Sequence, residues 1–133
     1  MTVGYSGTPV PYKLGVKAHS RVLVLGRPPG TDLGTWDCAT RHTRAGKGRY
    51  DVVLAFAPDV ATLRRRLAPA LAATTVPGRL WVCWPKRSSA VATDLTENIV
   101  RELGLAAGNV DIKVCAIDDK WSGLAFVRRL RDR

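Results

Sequence analysis

Three runs of the chain are apolar at consecutive positions rather than at alternate ones: residues 21–26 (RVLVLG), 50–57 (YDVVLAFA) and 80–84 (LWVCW). Strands that read this way are buried on both faces, and such strands belong to parallel sheets covered by helices. Helical patterns separate them. Behind Asp59, which suits a helix N-cap, Val60, Leu63, Leu67 and Leu71 recur at helical spacing. Pro69 is expected to kink or end that helix, and Pro77-Gly78 to turn the chain into the third strand. In residues 94–104 (DLTENIVRELG), Asp94 caps and Glu97 follows as in a capping box. Leu95, Ile99 and Leu103 share a face, Glu97 and Arg101 make an i,i+4 pair, and Gly104 is expected to stop the helix. Two more strands follow, residues 110–117 and 124–130. The link between them is too short for a helix, so they form an antiparallel hairpin.

The rest of the chain is fitted around this alternation. Residues 1–7 are expected to fray. Thr8 and Pro9 suit a helix start, Tyr12 and Leu14 give that short helix an apolar side, and Gly15 closes it. Residues 31–36 are expected to make one helical turn and residues 38–43 a short edge strand. A basic loop over residues 41–49 then carries Arg41, His42, Arg44, Lys47 and Arg49. At 133 residues the chain fits one domain, with residues 1–15 as an N-terminal arm and short helix.

In the third strand Trp81 and Cys83 point to one face and Leu80, Val82 and Trp84 to the other. Pro85 ends it, and Lys86-Arg87-Ser88-Ser89 opens a polar loop. Open α/β sheets place their ligand sites at the carboxyl ends of the strands. The candidate ligand residues are therefore Lys86, Arg87, Ser88 and Ser89, with Trp84 as a stacking surface and Arg27 at the end of the first strand. Asp118 and Trp121, in the link before the last strand, complete the set. No G-x-S-x-G elbow, phosphate-binding lysine loop or H-x-x-x-H pair is present. His19 and His42 sit in connectors without metal-ligand spacing. Asp94, Asp118 and Asp119 all fall at strand ends, but aspartates in a hairpin link serve turn geometry first. No catalytic residue, metal or cofactor is assigned.

The formal charge is +10, and fifteen of the 21 basic residues are Arg. That charge fits either an acidic partner, such as an anionic ligand, an anionic surface or nucleic acid, or a solvated arginine-rich face that keeps the protein soluble. Nucleic acid is the less favoured partner, because no aromatic-plus-basic reader motif accompanies the charge. Arg64, Arg65 and Arg66 spread around their helix instead of forming one reading face. Three cysteines with no C-x-x-C pair suit a reducing, cytoplasmic setting. No apolar run has the length a membrane span needs.

The parallel strands closed by one antiparallel hairpin strand resemble the class I S-adenosylmethionine methyltransferases. On that resemblance YDVVLAFA is similar to their fourth strand, GRLWVCWP to the fifth, VDIKVCAI to the sixth and LAFVRRL to the antiparallel seventh. The span between the first and fourth strands is too short for the usual two strand–helix units, so the sheet is trimmed at that edge. The implied fold is three-layer and Rossmann-like. Most of residues 4–130 also resemble an uncharacterised domain family of high-GC Gram-positive bacteria. The matching pieces are Gly4-Tyr5-Ser6-Gly7-Thr8-Pro9, Leu14-Gly15-Val16-Lys17, Trp84-Pro85-Lys86, Ala92-Thr93-Asp94-Leu95-Thr96-Glu97 and Trp121-Ser122-Gly123-Leu124. That family implies no reaction.

The methyltransferase resemblance implies a glycine-rich first loop that binds cofactor through bare N–H groups. Here the loop is Gly26-Arg27-Pro28-Pro29-Gly30, and its prolines have no N–H to give. The second strand should end in an acid, but Thr43-Arg44 stands there. The expected function is thus a non-catalytic, methyltransferase-like binding or regulatory domain for an anionic small molecule or a protein partner. The alternatives are a methyltransferase with an altered cofactor loop and a basic nucleic-acid-binding module.

Overall fold

The computed structural model describes residues 10–34 and 36–133. The helix start expected at Thr8–Pro9 and the fraying expected of residues 1–7 lie outside the described residues. The elements run α1 (Val10–Leu14), β1 (Arg21–Leu25), β2 (Thr40–His42), β3 (Tyr50–Phe56), α2 (Val60–Ala73), β4 (Thr74–Pro85), α3 (Glu97–Ala106), β5 (Asn109–Ala116) and β6 (Trp121–Arg128). A 3-10 turn, Leu130–Asp132, follows.

The six strands form one sheet in the order β2-β1-β3-β4-β6-β5. The first four are parallel. β6 runs antiparallel to both β4 and β5, and so inserts between them. The doubly buried strands give two cores, one on each face. Leu80, Val82 and Trp84 join Leu63 and Leu67 of α2 and Val100 of α3 on one face. Trp81 and Cys83 join Leu14, Leu33, Trp36 and Trp121 on the other. Among the described residues the second face carries no long helix. α1 and the segment holding Leu33 and Trp36 cover it, and the Trp81 indole donates to the Leu14 carbonyl at 3.0 Å. The result is a mostly parallel, three-layer α/β fold with an antiparallel strand inserted by the C-terminal hairpin, as the strand pattern predicts.

Several local expectations are corrected. The described part of residues 31–36 is not helical. Asp32 accepts the Gly34 amide at 2.8 Å and Gly34 has φ 75°, a turn geometry that breaks a helix. Pro69 does not stop α2, which continues to Ala73. The proline stands on the exposed side, and buried Leu67 and Ala70 hold the last turn to the sheet. Asp59 caps α2 as expected, accepting the Thr62 amide at 2.8 Å, and this bond holds its carboxyl below the usual range. Tyr12 is 77% exposed and gives α1 no apolar side.

Asp94 is not the α3 cap. Thr96 is, accepting the Ile99 amide at 3.2 Å, while Asp94 reaches across to accept the Val60 amide of α2 at 2.9 Å. Gly104 lies inside α3, buried against the Phe126 ring, and the helix ends at Ala106 instead. Pro77-Gly78 does not precede β4 but lies within it. Thr74 pairs with Tyr50 and Arg79 with Val52, so the residues between bulge outward. β6 starts at Trp121, because the Asp118 carboxylate accepts the Lys120 and Trp121 amides at 2.8 and 2.7 Å and turns the chain at once.

Candidate functional site

A groove of about 660 Å³ lies at the carboxyl end of β4, between the loop that follows it and the start of α3. Trp84, Pro85, Val91 and Leu95 line its apolar part, and Lys86, Arg87, Thr93, Thr96, Asn98 and Ser122 its polar part. The loop is held in place locally. The Lys86 amide donates to the Lys120 carbonyl at 2.7 Å, which ties the end of β4 to the hairpin turn. The Lys86 carbonyl accepts the Ser89 amide at 3.0 Å and its hydroxyl at 2.7 Å.

Thr93 accepts the Leu95 amide at 3.0 Å, and Leu95 is buried, which sets the approach to α3. Thr96 then caps α3 through Ile99, so the Glu97 and Asn98 amides open the helix without intrahelical acceptors. Those amides and the helix dipole give the groove wall a positive character. Lys86 and Arg87 add two charges without an ion-pair partner among the described residues. Glu97 is the lining carboxylate, and Arg101 engages it at 2.8 Å. A concave site with an apolar floor, two cations and helix amides suits a molecule with an anionic end and an apolar body.

The expected ligand residues separate. Trp84, Lys86 and Arg87 come together at the groove. Trp84 is only 5% exposed, however, so it contributes floor and not an open stacking face. Ser88 and Ser89 are outside the lining, and Ser89 is occupied in folding the loop back on Lys86. Asp118 is the hairpin turn acceptor. Trp121 is buried against the Phe56 ring on the opposite face of the sheet, with centroids 5.4 Å apart. Arg27 lies at the end of β1 and donates to the Thr31 carbonyl. No cluster of three potential metal ligands forms among the described residues, so Asp94, Asp118 and Asp119 do not converge. Asn98 and Ser122 carry no distinguishing sequence signal. The Thr at 96 before an acidic first turn is a cap signal that competes with Asp94.

The other ligand position of such a sheet is the switch point, where β1 and β3 part toward opposite edges. Gly26 ends β1 there with φ 69°. A Cβ at Gly26 would meet the Arg66 guanidinium, with Nη2 at 2.9 Å and Nη1 nearer. Arg66 also donates to the Phe56 carbonyl at the end of β3. The guanidinium thus lies across the carboxyl ends of both strands. The Thr31 amide is turned onto the Pro28 carbonyl at 3.1 Å, and Pro28 and Pro29 have none. At the end of β2, His42 bonds the Tyr50 hydroxyl at 2.6 Å, and Thr43 and Arg44 follow. These residues do not fit S-adenosylmethionine, which calls for free loop amides and a carboxylate for its ribose.

Much of the positive charge has a structural use. Seven arginines, Arg21, Arg27, Arg41, Arg66, Arg128, Arg129 and Arg133, donate to backbone carbonyls. Arg21 fastens the basic loop through the Lys47 and Arg49 carbonyls and stacks 4.5 Å from the Tyr50 ring. Arg128 caps the end of α2 through the Leu71 and Thr74 carbonyls. No described helix is long and apolar enough to cross a membrane.

By sequence, no protein family and no curated protein matches the chain, so the likeness to a high-GC bacterial family rests on its quoted motifs alone. Solved structures do match. DhpI in its complex with SAH aligns with a TM-score of 0.59 at 10% identity, over 92% of this chain and 83% of that one. A chain of the fibrillarin/Nop5p complex aligns at 0.56 and 10% identity, over 97% and 91%. A Pseudomonas syringae protein assigned as a methyltransferase aligns at 0.51 and 13%, over 84% and 90%. At these identities the likeness concerns architecture alone: the chain has the Rossmann-like fold of the methyltransferases.

Proposed function

We propose that this protein is a non-catalytic binding or regulatory domain on a methyltransferase-like fold. It takes an anionic small molecule, or an acidic group of a protein partner, in the groove at the carboxyl end of β4. The observation that carries this proposal is the meeting of Lys86 and Arg87, without ion-pair partners among the described residues, with the opening amides of α3. Nucleic acid is not favoured as a partner, since so many arginines are engaged with the protein's own backbone. The odd set of cysteines, none of them disulfide-bonded, favours a cytoplasmic setting.

The alternative is an S-adenosylmethionine-dependent methyltransferase with an altered cofactor loop. Its support is the fold and the SAH complex of DhpI. Against it stand the Arg66 guanidinium over Gly26, the two prolines and the missing ribose carboxylate.

Calorimetry separates the two. Titration with S-adenosylmethionine or S-adenosylhomocysteine should give no heat of binding at micromolar protein, and Pro28→Gly alone should not restore any. Phenyl phosphate, with an anionic end and an apolar body, should bind. Losing two charged hydrogen bonds at about 1.5–3 kcal/mol each, Lys86→Ala/Arg87→Ala should weaken it at least about a hundredfold. A low-micromolar dissociation constant for S-adenosylmethionine would move the methyltransferase to first place. Phenyl phosphate affinity unchanged in the double variant would remove the groove.

A further inference from the structure

The opposite, amino end of the sheet holds a second cavity of about 380 Å³, built where the connector after α1 meets the start of β4. Gly15, Lys17, Ser20, Asp51, Thr75 and Arg79 contribute to its wall. The β4 bulge makes it. The bulge holds Gly78 so tightly that a Cβ would fall 2.8 Å from the Asp51 carbonyl and 2.6 Å from the Thr75 hydroxyl. No other residue type fits there, so the cavity wall is a defined feature of the backbone.

Arg79 is the informative side chain. Three arginines lie over left-handed glycines: Arg21 over Gly48, Arg66 over Gly26 and Arg79 over Gly15, whose missing Cβ leaves room 3.1 Å from the Arg79 Nη1. Arg21 and Arg66 use that seat to donate to backbone carbonyls. Arg79 is half-buried and has no hydrogen-bond or ion-pair partner among the described residues. Its planar fork of donors has no acceptor among the described residues. Thr75 adds a second unmatched donor: its hydroxyl is buried and has no partner among the described residues. Lys17 stands exposed at the rim. The lining carboxylate, Asp51, is turned to the Arg21 amide at 2.8 Å and does not pair with Arg79.

We propose that this cavity is a second binding site, for a small oxyanion: a carboxylate or phosphate held by Arg79, with the Thr75 hydroxyl donating and Lys17 at the rim. It is independent of the groove after β4, which lies at the other end of the same strand.

Amide-resolved NMR titrations with inorganic phosphate and, separately, acetate test it and distinguish the two anions. The stronger binder should give saturable shifts at Lys17, Thr75, Gly78 and Arg79, and these should persist in Lys86→Glu/Arg87→Glu. Arg79→Gln should weaken binding about tenfold or more while the spectrum elsewhere is unchanged. Asp51→Asn removes the opposing charge and keeps an acceptor for the Arg21 amide, so it should tighten binding. Thr75→Val should weaken binding yet raise the melting temperature, because it removes a buried hydroxyl without a partner. Absence of saturable shifts for both anions would overturn the proposal. So would shifts that vanish in the groove variant, or binding that Arg79→Gln leaves unchanged. A lower melting temperature in Thr75→Val would overturn the role given to its hydroxyl.

Discussion

Replacing Gly104 by alanine sets two opposed effects against each other. Within an α-helix alanine is favoured over glycine by about 0.8–1 kcal/mol, so propensity alone raises stability. The tertiary contact acts the other way. A Cβ at Gly104 would lie 2.7 Å from Cδ1 of Phe126, with Cε1 and Cζ of the ring closer still. Carbon atoms pack at about 3.5–4.0 Å, so the ring or the helix must move by roughly an ångström or more. Phe126 is 1% exposed and sits in the same core as Leu80, Val82 and Val100, which leaves the ring no free direction. Overpacking of this kind costs about 1–3 kcal/mol. A displacement this large falls in the upper half of that range, so packing should win, with a net loss of about 1–2 kcal/mol. In urea, with a slope of about 2 kcal/mol per molar, the midpoint should fall by about 0.5–1 M at constant slope. In a Phe126→Leu background the same substitution should become neutral or stabilising, a coupling of at least about 1 kcal/mol. A rise in midpoint for Gly104→Ala in the wild-type background would refute the reasoning and show that the Phe126 ring gives way at little cost.

Other expectations follow from single contacts. Thr96→Ala should lower stability by about 1 kcal/mol and loosen amide protection in the first turn of α3, whereas Asp94→Ala should loosen the first turn of α2. The Arg101 guanidinium, bonded to Asp111 at 2.9 Å, holds that carboxyl below its usual range. The stability it contributes is present above the ordinary aspartate range and is lost as pH falls through the lowered value. The gap between wild type and Asp111→Asn, followed by urea unfolding, should therefore shrink toward zero on acidification below about pH 4. Cys83 and Cys115 both pair with Gly123, on opposite sides of β6, so they stand two strand spacings apart, about 9–10 Å. Thiol titration should find three free thiols after unfolding. Cys83, whose thiol is pushed well up by burial, should react last in the native protein. If duplex DNA or RNA does bind, its affinity should fall linearly on a log–log salt plot and be abolished by reversing Arg41, Arg44 and Arg49 together. Binding that survives that reversal would place the nucleic-acid surface elsewhere.

Local sequence was sufficient for the architecture. Consecutive apolar residues in RVLVLG, YDVVLAFA and LWVCW require two buried faces, and two buried faces require a parallel sheet between layers. The short link at residues 118–120 allows only a hairpin, and the Asp59 cap of α2 acts within one turn. These signals are legible because cause and effect lie within a few residues of each other. The groove was half legible: Lys86 and Arg87 stand next to the strand they follow, but the wall formed by Thr96, Asn98 and Ser122 comes from other elements.

Tertiary structure decided what depended on distant partners. Gly104 continues a helix because Phe126 fills the space beside it. Asp94 serves Val60 rather than its own helix, and Pro69 is carried through by the packing of Leu67 and Ala70. Trp84, at the end of a strand, is buried because the approach to α3 folds Leu95 into the same core. The charge divides in the same way. Composition showed fifteen arginines but not their employment. A guanidinium has the reach and the planar donors to cap a carbonyl or lie on a glycine far away in sequence, as Arg66 does at Gly26 and Arg128 at the end of α2. The fold brings those acceptors together, and so it determines which cations are engaged and which remain available at the two ends of β4.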